Sequence, residues 1–187
     1  GAARPMPRSA YIAAIISREL GALTRRAAVL AERRLAEAGE GDPPCRYSFA
    51  VLGSAGRGES LLAMDQDNAL IFAEGDPGGA ADKWFEKLGS HVADILDEVG
   101  VPYCKGGVMA KNPQWRGSLA TWQARIAQWI ERSQPQDLLS VDIVFDLRGV
   151  FKAYGARRVF DGINVHIERG DRIALIGPNG VGKSTLM

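Results

Sequence analysis

The chain has 187 residues and a formal net charge of +1, so it has no bulk basic field to hold nucleic acid. With 46% hydrophobic and 24% charged residues it has the composition of an ordinary water-soluble protein, and no apolar run nears the ~20 residues of a membrane span. Cys45 and Cys104 are the only cysteines and follow no secretory signal, so the expected setting is a reducing cytoplasm.

The length suits one full domain and part of another. Residues 1–8 are small, proline-containing and expected to be loose. Residues 9–38 are rich in Ala, Leu, Arg and Glu and predict a helix, with Ser9 as its N-cap. Ile12, Ile15, Ile16, Leu20, Leu23 and Leu30 recur at near-helical spacing and are the expected packing face. Arg25, Arg26, Arg33 and Arg34 fall on other faces and read as solvated. Gly21 is expected to weaken this helix, and residues 39–44 to end it in a loop.

Residues 47–52, YSFAVL, read as a buried strand. Gly53-Ser54 breaks it with a turn in which backbone can approach a ligand and aim N–H groups at phosphate. Asp65 and Asp67 follow at i and i+2, a spacing that places both carboxylates on one face of a strand. Two carboxylates beside a phosphate-cradling turn suit divalent metal that bridges protein and triphosphate. A second apolar strand, residues 69–72, comes next.

On these residues the chain resembles the DNA polymerase β-type nucleotidyltransferases. The string GSAGRGE…DQDNALI is similar to a nucleotidyltransferase family often fused to CBS domains in bacteria and related to the uridylyltransferase of the PII nitrogen-signalling protein. Met64 stands where that family usually carries Ser or Thr. The resemblance implies a mixed sheet, a nucleoside triphosphate substrate, Mg²⁺ at Asp65 and Asp67, and triphosphate contacts from Gly53 and Ser54. Arg57 would neutralise phosphate or pair with Glu59.

Residues 75–79, GDPGG, are a loop signal. Residues 81–99 follow as an amphipathic helix carrying Trp84, Phe85, Leu88, Val92, Ile95, Leu96 and Val99 inward, with Gly100 at its C-terminal cap. His91 within it reads as a surface or packing residue. The segment CKGGVMAKNPQWRGS also resembles the same family, which implies phosphate contacts for Lys111 and Arg116; Lys105 is a weaker candidate. Cys104 has no His or second Cys at metal spacing and reads as a small buried side chain. Residues 118–132 predict another helix with Leu119, Trp122, Ile126, Trp129 and Ile130 on one face, the tryptophans as core.

Residues 138–148, LLSVDIVFDLR, predict a strand. Asp142 and Asp146 lie on its same face, and buried carboxylates need a partner. By the resemblance one of them is the third metal carboxylate, Asp146 being the better match and Asp142 the competitor.

The sequence changes character at residue 151. GPNGVGKS, residues 177–184, fits the Walker A pattern after an apolar strand. Gly177, Asn179, Gly180 and Gly182 shape a loop of backbone N–H donors, Lys183 reaches β/γ-phosphates, and Ser184, followed by Thr185, ligates Mg²⁺. The segment resembles the start of an ABC ATPase domain, nearest the ABC-F type, and the resemblance implies that Tyr154 stacks on adenine. The chain ends at Met187, before the remaining ATPase motifs, so ABC ATPase activity is not expected of it.

The expected architecture is α+β: a polymerase β-like core with a mixed sheet over residues 9–150, then a β-rich ABC-like segment over residues 151–187. Three functions stay open. One is metal-dependent transfer of a nucleoside monophosphate to an acceptor hydroxyl on a protein or small molecule. The second is an ATP-binding ABC fragment. The third is a non-catalytic nucleotide-sensing module with a signalling role.

Overall fold

The computed structural model describes residues 8–58, 60, 64–132, 148–154 and 157–164, with Arg8 and the last two segments described by backbone alone. Helix α1 (Arg8–Glu37) is followed by strand β1 (Tyr47–Val51), short helix α2 (Gly53–Arg57) and strand β2 (Asn68–Phe72). Helix α3 (Ala80–Glu98), a 3₁₀ turn (Pro113–Trp115), strand β3 (Arg116–Ser118) and helix α4 (Leu119–Arg132) come next. Strands β4 (Arg148–Tyr154) and β5 (Arg157–Asn164) close the described chain as an antiparallel hairpin.

The mixed sheet has the order β1-β2-β3. Antiparallel pairing of β1 with β2 sets Tyr47 opposite Phe72 and Phe49 opposite Leu70. Parallel pairing of β2 with β3 sets Leu70 against Arg116. Side chains alternate across a strand, so the sheet has two buried faces. Tyr47, Phe49, Leu70 and Phe72 join α1 and α3 in one apolar cluster. Ala50, Leu52 and Ala69 join Trp115, Trp122 and Trp129 in the other. The predicted architecture is α+β, and the structure is a helix–sheet–helix arrangement of that class. Neither face of β2 is left to water, which explains its near-continuous apolar sequence.

Helix α1 bears out the expected packing face at Leu20 and Leu30 but corrects the rest. Its buried stripe is Ala13, Ser17, Leu20, Thr24, Ala27, Ala28, Ala31 and Leu35, while Ile12, Ile15 and Leu23 are exposed. The small residues repeat at three- and four-residue steps, and small side chains let two helices approach closely. Gly21 does not break the helix, and Ser9 lies inside its first turn rather than capping it. Helix α4 buries Trp122 and Trp129 but exposes Leu119 and Ile130. The three tryptophans meet with ring centroids 6.1–6.4 Å apart, as core rather than as a ligand platform. Trp122 Nε1 donates to the Leu70 carbonyl at 3.1 Å and fastens α4 to the central strand.

Helix α3 reaches the sheet through aromatic contacts, with Phe85 stacked on Phe72 at 4.7 Å. It reaches the loop that follows it through Gly89. A Cβ there would stand 2.8 Å from the Ala110 carbonyl carbon and the Lys111 nitrogen. Only a residue without Cβ admits backbone that close, so Gly89 sets where residues 104–111 run.

Candidate functional site

Strand β1 ends at Val51, and Leu52 enters α2 in extended conformation. Gly53 then takes φ +60°, the left-handed region that L-residues with a side chain avoid. Space gives a second reason for glycine. A Cβ on Gly53 would overlap Asp67 Oδ2 and lie 3.2 Å from its Cγ. The turn and the second aspartate are therefore in contact, and the missing side chain makes the contact possible.

The aspartates are fixed by backbone. Leu52 N donates to the Asp67 carbonyl at 2.8 Å, Gln66 N to Pro102 O at 3.1 Å, and Asn68 N to Val108 O at 2.9 Å. Residues 65–68 thus run between β1 and residues 102–108, extending the sheet beyond β2. The even positions turn toward α3. Gln66 Nε2 donates to the Ala93 and Val101 carbonyls, and Asn68 Oδ1 accepts from Ala110 N. The odd positions, Asp65 and Asp67, turn to the other face. Gln66 forms a parallel bridge with Tyr103, so Asp67 and Cys104 are the next residues along two adjoining parallel segments. One ligand-type atom from each of Asp65, Asp67 and Cys104 lies within 4.8 Å of the others.

Burial and the neighbouring Asp65 both work against the charge of Asp67. Burial pushes the Asp67 carboxyl above its usual range and Asp65 raises it further; a hydrogen bond from the Cys104 thiol and the charge of Arg57 act against this. Burial pushes the Cys104 thiol up to about 11, and its bond to Asp67 adds to the rise. Without metal the thiol keeps its proton and donates it to the carboxylate. A divalent ion fits this donor set. Three donors on one such ion stand about 3.5–4 Å apart, given bonds of about 2.0–2.3 Å, so rotation of the carboxylates must close the observed spacing by about 1 Å.

The other predicted positions are distributed unevenly. Ser54 is exposed at the start of α2, and Arg57 is half-buried in its last turn. Lys111 places its Nζ 4.1 Å from the centre of the Tyr103 ring. Arg116 departs from the expected phosphate contact. It is buried, with Nε 2.7 Å from Asp82 Oδ1 and Nη1 donating to the Ala110 and Lys111 carbonyls. A guanidinium closed in this way holds the fold together and offers nothing to a phosphate. Asp142, Asp146, Gly177, Asn179, Gly180, Gly182, Lys183, Ser184 and Thr185 lie outside the described residues. Tyr154 ends β4, which is described by backbone alone.

The family model described as "Putative nucleotidyltransferase DUF294" matches residues 4–136. The chain belongs to this family. The match takes in Gly53, Asp65, Asp67 and Cys104, so the clustered side chains all come from the nucleotidyltransferase-family part. An ABC transporter model matches residues 160–187, beginning within β5. Curated relatives are similar to the C-terminal part. Hemin import ATP-binding protein HmuV of Thermobifida fusca is 45% identical over 53 residues, 28% of this chain and 19% of that protein. The uncharacterized ABC transporter ATP-binding protein YfmR of Bacillus subtilis is 50% identical over 44 residues, 24% of this chain and 7% of that protein. ATP-binding protein Uup of Caulobacter vibrioides is 48% identical over 44 residues, again 24% and 7%. The chain thus spans less than a fifth of the length of these relatives. No solved structure matches the chain. No described helix is long and apolar enough to cross a membrane.

Sequence reasoning missed Cys104. Its spacing from Asp67 carries no motif, and only the pairing of residues 65–68 with residues 102–108 brings the two together.

Proposed function

We propose that residues 9–150 form a polymerase β-like nucleotidyltransferase domain that moves a nucleoside monophosphate from an NTP to an acceptor hydroxyl on a protein or small molecule. Residues 151–187 are read as an ABC-like segment. The contact of Asp67 with the Gly53 turn, with Asp65 beside it, carries the proposal. Asp65 and Asp67 would hold Mg²⁺, which when bound supplies charge neutralisation for the triphosphate. Gly53 lets the Asp67 carboxylate stand against the turn. Ser54 presents its hydroxyl and N–H at the exposed end of that turn, and Arg57 places positive charge in the field of Asp67. In-line displacement at phosphorus depends mainly on positioning and charge, so this set requires no histidine or cysteine nucleophile. Asp146, or else Asp142, is assigned the acceptor's proton. In support, β4 begins two residues after Asp146 and packs against β1 and α2, the elements that frame the turn.

A second reading, ATP binding at the Walker A segment, is favoured by the ABC transporter match over residues 160–187. Calorimetry with Mg²⁺–NTP on the full chain separates the two. Replacing Asp65 and Asp67 by Asn should remove most binding, because amides bring no charge to the cation, while Lys183→Ala should leave it nearly unchanged. The reverse pattern, with a loss above about tenfold (~1.4 kcal/mol) in Lys183→Ala, assigns the site to the Walker A segment. Labelled-phosphate transfer then separates turnover from nucleotide sensing.

A further inference from the structure

We infer that Cys104 is a third cation donor, so that the centre takes thiophilic divalent cations of the zinc and cadmium kind through Asp65, Asp67 and Cys104 together. The inference rests on the same two carboxylates as the proposed nucleotidyltransferase site and adds a specificity to it. Three observations carry it. Sγ and the two carboxylate oxygens lie within 4.8 Å of one another, a side-chain rotation from the ~3.6 Å that separates donors on one tetrahedral ion. The three donors come from two separate segments locked side by side by the Gln66–Tyr103 bridge and the Asn68–Val108 hydrogen bond, so their approach is a property of the sheet. Cys104 is buried, packed in the cluster that includes Leu52, Val108, Met109 and Trp115.

The donor chemistry gives the centre two modes. Mg²⁺ takes oxygen ligands and holds its waters. It uses the carboxylates and leaves the thiol protonated, donating to Asp67. A thiophilic cation takes the sulfur as well. The thiol proton then goes to solvent, and Asp67 exchanges an S–H donor for a metal bond. The two cation classes therefore compete for the same carboxylates, and Cys104 decides between them.

The test is a Cd²⁺ titration of the full chain without nucleotide, read by the ultraviolet thiolate-to-cadmium charge-transfer band. A Cys45→Ser variant leaves Cys104 as the single thiol, since the chain has two cysteines. The expected result is a saturable one-to-one band in Cys45→Ser. Cys104→Ser should lose the band and weaken Cd²⁺ binding by more than the roughly 10–100-fold that removal of an outer-shell partner costs, with Mg²⁺ affinity changed less than about twofold. Asp67→Asn keeps the thiol and provides an arm independent of how the cysteine variant folds; there the band should need much higher Cd²⁺. A missing band in Cys45→Ser, or a band at unchanged Cd²⁺ concentration in Asp67→Asn, overturns the inference. Nucleotide transfer is not read at any point. A band that behaves as expected in a protein without transferase activity would sink the proposed function and leave the cation site standing.

Discussion

Gly53→Ala isolates the contact on which the site reading depends. Gly53 is at φ +60°, and an alanine forced into the left-handed region costs roughly 1–2 kcal/mol. The new methyl would also overlap Asp67 Oδ2, with Cγ at 3.2 Å and Cβ at 3.4 Å. The Asp67 backbone is anchored by its 2.8 Å bond from Leu52 N, so relief must come from rotation of the carboxylate. Overfilling of this kind adds about 1–3 kcal/mol. The expected loss is therefore about 2–5 kcal/mol, within the ~5–15 kcal/mol of a typical domain, and the variant should still fold in the cold. Gly39→Ala is the control, because Gly39 has φ +82° and nothing within 4 Å of its would-be Cβ. It should show the backbone cost alone. Urea unfolding gives the difference between the two variants, and calorimetry gives Mg²⁺–NTP affinity. A carboxylate displaced by about 1 Å should lower transfer by on the order of 10²-fold. If Gly53→Ala is no less stable than Gly39→Ala and binds Mg²⁺–NTP like the parent, the contact between turn and carboxylate is irrelevant and the reasoning fails.

Asp67→Asn should stabilise the metal-free protein at neutral pH. The folded Asp67 carboxyl sits above its ordinary range, so its favourable linkage is full below the ordinary value and lost as pH rises through the raised one. Asn does not titrate; a gain of about 0.5–2 kcal/mol, as for other relieved functional sites, should shrink on acidification, and thermal melts across pH 3–7 check it. Arg116→Ala should cost about 3–5 kcal/mol, the penalty of a buried ion pair left with one partner, since Asp82 is itself buried. Arg116→Lys should restore little of it, because one ammonium cannot make the guanidinium's separate bonds; denaturant unfolding reads both, and nucleotide affinity of the folded protein should hardly move. Gly89→Ala should destabilise by about 1–3 kcal/mol through collision with the 110–111 backbone. Gly21→Ala, also in a helix but with open space around it, should stabilise by about 0.5–1 kcal/mol. Opposite signs in the two melts are the test.

What could be read from the sequence was what local periodicity encodes. The run 47–52, the Gly53 turn and the i, i+2 aspartates all lie within one continuous segment. Alternation alone places Asp65 and Asp67 on one face, and the structure has them there. Two readings changed because the deciding partner is distant in sequence. The packing face of α1 follows its alanines, because the partner helix comes close and large side chains at that seam would hold it off. Arg116 turns inward because Asp82, on α3, is there to receive it; on sequence alone a basic residue in a glycine-containing segment looks like a phosphate ligand. Cys104 is the small buried side chain that its sequence predicts; its two carboxylate neighbours come from a segment distant in sequence.

A pair of aspartates near a turn can serve the fold instead of a ligand, and the energetics of Asp67 bear on the choice. Asp82 is an example of the structural case. It takes a hydrogen bond from Gly78 N at 2.8 Å and an ion pair from Arg116 at 2.7 Å, so each carboxylate oxygen has a donor. Asp67 is arranged differently. It is partly buried beside another carboxylate, with a weakly donating thiol and the charge of Arg57 as the opposing influences. A group whose surroundings raise its carboxyl disfavours its own ionised form, and at neutral pH that works against folding. The backbone nevertheless holds it there from both sides, through Leu52 just after β1 and through Val108 bonded to its neighbour Asn68. Local instability maintained by strong surrounding structure is the usual condition of a functional group. A cation is the simplest addition that reverses it, since one divalent charge answers both carboxylates and any binding to the folded state alone stabilises that state.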